Sequence, residues 1–372
     1  PLRLGVIQSL SGKVAPIGRD QVRGLELALA RRGGALLGRE VQLIVEDTGC
    51  RPEGGANAAL KIVSDPSVAA IFGTTCSADA ATAAQVMTEA GLSMISGNNS
   101  APFLTAMGGK RAPKWQPGFF RTAPNEEHAG PAAARFAFEK LGLRQAATVN
   151  DGDIYTRGLT EGFRAEFERL GGKVTLSATV NKGDENMAPV LEAVAAAKPQ
   201  LVFFPLFQPE GNRVLEEARK TPGLQGAALM SDGALIDQSF IDAVGGAAVG
   251  MYFVGPTPPK GPDVDRLVDE YVAKYGSTPP TDYYSSAFDA ASILFEAIGK
   301  AASAQKDGSV RMVRQALRDA LYATKDFKGV AGRLSCDEFG DCGRPAFNVL
   351  RLEDPAKGVQ GLKANAVYTH AP

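Results

Sequence analysis

Histidine is almost missing from this chain: His128 and His370 are its two histidines in 372 residues. That scarcity leaves no room for a Ser-His-Asp triad, a His-rich metal site or a zinc-protease helix. Charge of one sign is missing too. Lys and Arg number 40 against 41 Asp and Glu, a formal net charge of −1, so there is no electrostatic footprint for nucleic acid. No stretch approaches the roughly 18–20 consecutive apolar residues of a membrane span. Cysteine is sparse, and Cys50, Cys76, Cys336 and Cys342 form no CxxC pair, which excludes a zinc ribbon or a thioredoxin motif. The spacing of a phosphate-binding GxxxxGK[ST] loop is absent as well. What remains is a chain with 44% hydrophobic and 22% charged residues, typical of a soluble globule. Its length suits two domains at about 150 residues each. The four cysteines suit two disulfides, Cys50–Cys76 and Cys336–Cys342, in an oxidising compartment; four reduced thiols are the alternative. The chain begins Pro1-Leu2-Arg3 without a Met, which fits a mature exported protein.

Strand and helix patterns alternate from the first residue. Residues 2–7, 41–45, 68–72 and 92–96 read as buried strands, separated by helices from about Asp20 to Arg31, Glu53 to Val63 and Ser77 to Ala90. The pattern then restarts with strands at 146–150, 174–176, 201–204, 227–230 and 250–254, and helices at 160–170, 187–197 and 211–219. Strands alternating with helices of 10–15 residues mean βαβ units around a parallel sheet, here in two copies. The tail adds helices at 264–275, 286–302 and about 308–322, then extended segments at 334, 347–352 and 366–368. Phe119-Phe120-Arg121 and Tyr252-Phe253 are candidate short hinges. Open α/β sheets bind ligands in loops at the carboxyl ends of their strands, so those loops are where to look.

Two such loops in the first copy are rich in small polar residues. Gly73-Thr74-Thr75-Cys76-Ser77 runs from a strand into a helix, with Ser77 as the expected N-cap; the N–H groups of such a turn can hold an anion. Ser96-Gly97-Asn98-Asn99-Ser100 follows the next strand and offers hydroxyl and amide groups beside it. Either loop can equally be an ordinary cap or turn, but together they would give a carboxylate several donors. In the second copy, Asp151-Gly152-Asp153-Ile154-Tyr155 and Ser231-Asp232-Gly233 occupy equivalent strand ends. Asp151 and Asp153 read as turn formers. Asp232 opposite a carboxylate-binding loop would suit an ammonium group. Phe207 brings an aromatic to a third strand end, and Tyr283, Tyr284 and Phe288 either line a pocket or fill a helix core. No nucleophile–base pair or metal-ligand set accompanies these residues.

Taken in order, several segments resemble one family. They are Leu4-Gly5-Val6-Ile7 with Leu10-Ser11-Gly12, Glu46-Asp47 before Cys50, Gly73 with Cys76-Ser77, and Met94-Ile95-Ser96. Phe120-Arg121-Thr122, Asp151 with Tyr155, Leu201-Val202-Phe203-Phe204, Pro209-Glu210, Asp289-Ala290 and Gly340-Asp341 continue the series. Colinear over essentially the whole chain, this set is similar to the leucine/isoleucine/valine-binding proteins, the extracellular solute receptors of branched-chain amino acid ABC importers.

The resemblance implies a two-lobed type I periplasmic-binding-protein fold of the α/β class. Its lobes, 1–121 with 254–329 and 122–253 with 330–372, would be joined by three crossovers and close on a ligand. By position, Ser77 and Ser100 would hold the α-carboxylate with help from Thr75 and Cys76, and Asn99 would offer its carbonyl to the ammonium. Asp232 would pair with that ammonium. Tyr155 and Phe207 would come down as aromatic walls, with Ile17 and Tyr284 completing the ligand set. A Cys50–Cys76 disulfide would brace the carboxylate loop, and Cys336–Cys342 would be an addition. Departures limit the ligand: Asp232 is shorter than the usual Glu, Ile17 replaces an aromatic and Phe207 lacks a phenol hydroxyl. The expectation is a non-enzymatic receptor without metal or cofactor. It would be monomeric, periplasmic or lipid-anchored, with its signal peptide removed, and would deliver an apolar L-amino acid to a membrane permease. An aromatic-acid or amide/urea receptor of the same family, or a ligand-sensing regulator domain of the same fold, is the alternative.

Overall fold

The computed structural model describes residues 1–330 and 332–372. The chain divides into two compact units, Pro1–Asn125 with Pro258–Arg344, and Glu126–Thr257 with Pro345–Pro372.

The first unit is built on six strands: β1 (Leu2–Gln8), β2 (Ala35–Leu36), β3 (Arg39–Asp47), β4 (Val68–Gly73), β5 (Met94–Ser96) and β6 (Phe119–Arg121), in the order β2-β3-β1-β4-β5-β6. All neighbours are parallel except β2 with β3. Every residue of β4, Val-Ala-Ala-Ile-Phe-Gly, is buried, as expected for a strand covered on both faces. Alternation sends its side chains to two cores. Ala70 and Phe72 join Leu4 and Val6 against Leu25, Leu294 and Ile298, whereas Ile71 joins Met94 against Ile62, Ala83 and Met87.

The second unit repeats the plan in seven strands: β7 (Gln145–Asn150), β8 (Lys173–Thr179), β9 (Leu201–Phe203), β10 (Ala228–Asp232), β11 (Tyr252–Pro256), β12 (Phe347–Arg351) and β13 (Ala366–His370), in the order β8-β7-β9-β10-β11-β12-β13. The first five are parallel; β12 and β13 add antiparallel. Val202 and Phe204 face Leu191, Val214 and Leu215, while Leu201 and Phe203 face Phe163 and Phe167. In the first unit β1 lies between β3 and β4, and in the second β7 lies between β8 and β9, so chain direction across each sheet reverses beside its first strand, and ligand loops gather at such a switch point.

Several expectations need correction. Phe119–Arg121 and Tyr252–Phe253 are not hinges but strands of the two sheets. The chain instead passes between units at 125–126, 257–258 and 344–345. Residues 330 and 332–344 pack with the first unit, not the second. Leu334, Cys336 and Cys342 belong to its core, and backbone bonds between Arg121 and both Gly340 and Cys342 attach the segment to β6. Residues 122–125 likewise stay with the first unit and 254–257 with the second. The helix expected from about 308 begins at Arg314. Before it, Val310–Met312 pairs antiparallel with Ala302–Ala304. Gly308, at φ +80°, supplies the turn that breaks the helix. Other helices start earlier than their apolar spacing suggested: Ala15, with Pro16 in the first turn; Ile154, capped by Asp153; and Tyr283.

Candidate ligand-binding site

In the first unit, the loops leaving β1, β3, β4 and β5 are tied to one another by side chains. Asp79, fully buried in the first turn of the helix Ser77–Glu89, is the centre of this network. Its carboxylate accepts from Thr74 Oγ1 at 2.6 Å, from Ser9 Oγ at 3.5 Å and from Thr48 Oγ1. Burial pushes the Asp79 carboxyl up, although these hydroxyls oppose the shift. Gly18 permits the close approach: a Cβ there would lie 2.0 Å from the Ser9 carbonyl oxygen, so only glycine lets the helix Ala15–Ala30 start against the end of β1.

Most of the predicted donors also have structural partners. Thr75 Oγ1 accepts from the Ser9 N–H at 2.9 Å and donates to Gln8 Oε1 at 2.7 Å. Asn99 is buried, accepting from the Thr74 N–H at 3.1 Å and donating to Thr74 Oγ1 at 3.2 Å. Asn98 Nδ2 donates to the Thr75 carbonyl at 2.6 Å. Ser77 is not the N-cap; Cys76 holds that position, and Ser77 is the first helical residue. The half-buried Ser77 hydroxyl accepts from the Ala101 N–H at 3.4 Å, bridging the two loops. Cys76 is disulfide-bonded to Cys50 with Cα atoms 5.5 Å apart, and Cys336 is bonded to Cys342. Ser100 and Ile17 are half-buried, on the loop after β5 and in the first turn of the helix Ala15–Ala30. Tyr284 stands apart from these residues. At 4% exposure it packs in the core, its ring 5.3 Å from that of Tyr271, so the helix-core alternative is the one realised.

One anchor of the loop after β5 escaped the sequence reading. Arg121, fully buried at the end of β6, donates to the Ala101 carbonyl at 2.7 Å and pairs with Asp341 at 2.7 Å. Thr105 and Asn125 complete its network on Asp341. A buried guanidinium is tolerated only with such partners.

The second unit gathers acceptors rather than donors. Asp232 ends β10 at 2% exposure, and its Oδ2 accepts from the Tyr155 hydroxyl at 2.9 Å. Its Oδ1 has no hydrogen-bond partner among the described residues. Burial, then the negative charge of Glu126, pushes the Asp232 carboxyl up to about 7, against hydrogen bonds from Tyr155 and the Ala234 N–H. The Tyr155 hydroxyl is raised well above its usual range by burial, then by Asp232 and Glu126. Asp153 places Tyr155 by capping its helix, accepting from the Tyr155 N–H at 2.9 Å, and Asp151 accepts from the Asp153 N–H and Thr156 Oγ1. Both therefore act as turn formers. The Tyr155 and Phe207 rings lie 5.5 Å apart. Phe207 is 43% and Ile154 54% exposed, unusual for such side chains, so the Phe207 ring offers apolar surface beside the tyrosine that binds the carboxylate. Glu126 and Ile154 were missed. Glu126 sits in a short turn, Glu126–His128, with no periodic signal, and Ile154 reads as one more helix residue.

Geometrically the chain thus carries a cluster of hydroxyl and amide groups at one set of strand ends and a buried carboxylate with an apolar wall at the equivalent set. The Leu/Ile/Val-binding protein BraC3 of Rhizobium johnstonii is 26% identical over 356 residues, spanning 95% of this chain and 92% of that one. The leucine-, isoleucine-, valine-, threonine- and alanine-binding protein of Pseudomonas aeruginosa is 26% identical over 95% of this chain and 91% of its own length. In fold, a leucine binding protein, LivK, of Thermotoga maritima superposes with a TM-score of 0.76 at 24% identity, covering 95% of this chain and 96% of that one. The family described as periplasmic binding protein matches residues 1–347. The chain belongs to the periplasmic binding protein family and has its type I fold.

Proposed function

We propose that this chain is the extracytoplasmic receptor of an ABC importer and that its ligand is an L-amino acid with an apolar side chain. The observation that carries the reading is Asp232: a carboxylate at 2% exposure, one oxygen unpartnered among the described residues, bonded to the hydroxyl of Tyr155, whose ring lies beside that of the exposed Phe207. A buried carboxylate is costly without a cation, and an α-ammonium group supplies one. In this reading Ser77, Ser100 and the free N–H groups of the turn through Thr75 and Cys76 take the α-carboxylate, and Asn99 offers its carbonyl to the ammonium. Ile17, Phe207 and Ile154 contact the side chain. Contacts added by Tyr155, Phe207 and Asp232 after the carboxylate is engaged would stabilise the liganded form, which the permease reads. The receptor acts as a monomer, periplasmic or lipid-anchored after signal removal, with no catalysis, no cofactor and no nucleic-acid partner. The names of the curated relatives, which state that those proteins bind leucine, isoleucine and valine, support the ligand class.

One observation favours a second reading. A carboxyl pushed up to about 7 is substantially protonated in neutral solution, and Asp232 could then donate to a hydroxyl or carboxylate of an amine-free acid. A thermal-shift screen decides between them, using the twenty L-amino acids with benzoate, cinnamate, phenylpyruvate, urea and short amides. A ligand at 100 times its Kd adds about 2.7 kcal/mol of stability. A shift with leucine, isoleucine, valine or phenylalanine that disappears in D232A is the expected result. A shift with the amine-free acids alone would overturn the amino-acid reading.

A further inference from the structure

The Cys336–Cys342 disulfide closes a short ring on the end of β6. Within the ring, Asp337 Oδ1 accepts from the Phe339 and Asp341 N–H groups, each at 2.9 Å, and the Asp337 N–H returns to the Asp341 carbonyl at 2.9 Å. Two further bonds seat the ring: the Arg121 N–H donates to the Gly340 carbonyl at 3.0 Å, and the Cys342 N–H to the Arg121 carbonyl at 2.8 Å. Gly340, at φ +96°, permits that approach, because a Cβ there would lie 2.0 Å from the Phe119 carbonyl oxygen. Trp115, the one tryptophan of the chain, donates its Nε1–H to the Phe339 carbonyl at 3.2 Å. The ring therefore holds the Asp341 carboxylate in one place. Its Oδ1 accepts from Arg121 Nε at 2.7 Å and its Oδ2 from Asn125 Nδ2 at 3.1 Å, while Thr105 Oγ1 lies 2.9 and 3.0 Å from the two oxygens.

Ala101 is where this scaffold meets the ligand loops. Its carbonyl accepts from Arg121 Nη1 at 2.7 Å, and its N–H donates to the Ser77 hydroxyl at 3.4 Å. Both peptide planes at Ala101 are thus held, and the first of them carries the carbonyl of Ser100. We propose that the ring positions the carboxylate-binding loops: Asp341 and Arg121 are positioning residues that fix Ser100 and Ser77 in the free protein, so that the ligand does not have to order them. The proposal rests on the carboxylate half of the reading above, which an amino acid and an amine-free acid share. It adds to that reading an element outside the ligand loops. Arg121 has one orientation because Nε, Nη1 and Nη2 each meet an acceptor, on Asp341, Ala101 and Thr105. A loop ordered before binding takes nothing from the interaction energy of the ligand, whereas a loop ordered part of the time lowers affinity by that fraction.

Amide hydrogen exchange of the ligand-free protein, with ligand affinity measured beside it, tests this in two variants. C336S/C342S opens the ring and leaves every Asp341 contact chemically possible, so it carries the test if D341N does not fold; D341N keeps the shape and removes the charge. A red shift of Trp115 emission reports the opened ring. Exchange of the backbone amides in residues 96–104 should rise about tenfold in both variants, while that of β4 stays unchanged. The affinity probe is whichever carboxylate of the thermal-shift panel stabilises the wild-type protein most. Its affinity should fall about three- to tenfold in C336S/C342S, as for a loop ordered roughly a tenth to a third of the time. In D341N, where Arg121 loses its charged partner, the fall should be about ten- to a hundredfold. A ring with a structural role alone would lower the denaturation midpoint and move neither reading at temperatures where the variants are fully folded. Unchanged affinity in the folded variants would overturn the proposal, whatever the exchange, and leave the carboxylate reading standing. Failure of every carboxylate in the panel to bind the wild-type protein would remove both.

Discussion

The two units share the strand order of their five parallel core strands and carry opposite chemistry. At the strand ends of the first, hydroxyl and amide groups converge: Ser9, Thr48 and Thr74 on Asp79, and Ser77 against the loop that Asn99 and Ser96 organise. At the strand ends of the second, Tyr155 and Asp232 meet, with Glu126 beside them and Phe207 alongside. The lesson is a division of labour between fold and residue. A doubly wound sheet decides where loops gather, whichever unit it builds; the few side chains on those loops decide which charge is welcome.

Changing Asp232 should break that contrast most severely. D232A removes the main acceptor of the second unit, and amino-acid affinity measured by titration calorimetry should fall ~100-fold or more, since an ammonium left unpaired costs about 3–5 kcal/mol. Next in size is the brace of the donor unit. Replacing Cys50 and Cys76 by serine should cost about 3–4 kcal/mol in chemical denaturation, whereas the shorter Cys336–Cys342 loop should cost about 2–2.5 kcal/mol. A third test separates a ligand-facing carboxylate from a structural one. Asp289, 5% exposed in the first unit, is also pushed up to about 7 by burial, yet it accepts from the Val330 N–H and lies in none of the ligand loops. Its folded value exceeds the ordinary one of about 3.9, so the stability it contributes is complete below that value and is lost as pH rises through about 7. D289N should therefore raise stability at pH 8 by on the order of 1–3 kcal/mol, change little at pH 4, and leave ligand affinity intact. The smallest effect belongs to Ser77. S77A should weaken affinity by about three- to tenfold, one hydroxyl hydrogen bond of about 0.5–1.5 kcal/mol.

Much of this was legible before the fold. Buried runs such as Val68–Gly73 announced strands covered on both faces, and their alternation with helices announced two parallel sheets. Asp232, Tyr155 and Phe207 were findable because they follow such runs directly. What failed to show was whatever depends on distant pairing. Tyr284 carries the spacing of a helix residue, and nothing local says that Tyr271 will close over it. Residues 330 and 332–344 carry too little apolar pattern to reveal which core receives them; attachment to β6 decides it. Glu126 looks like one acid in an acidic turn until Tyr155 arrives from a later helix.

The pairing of Arg121 with Asp341 also orders events in time. The six strands of the first sheet are complete by residue 121, yet the guanidinium that holds the Ala101 carbonyl meets its carboxylate 220 positions later in the chain. A nascent polypeptide that has not reached Asp341 carries an Arg121 with no counter-ion, and a buried cation of that kind is not stable. The loop that would greet the ligand first is therefore among the last parts of the molecule to settle, and folding of the first unit waits for nearly the whole chain to be made.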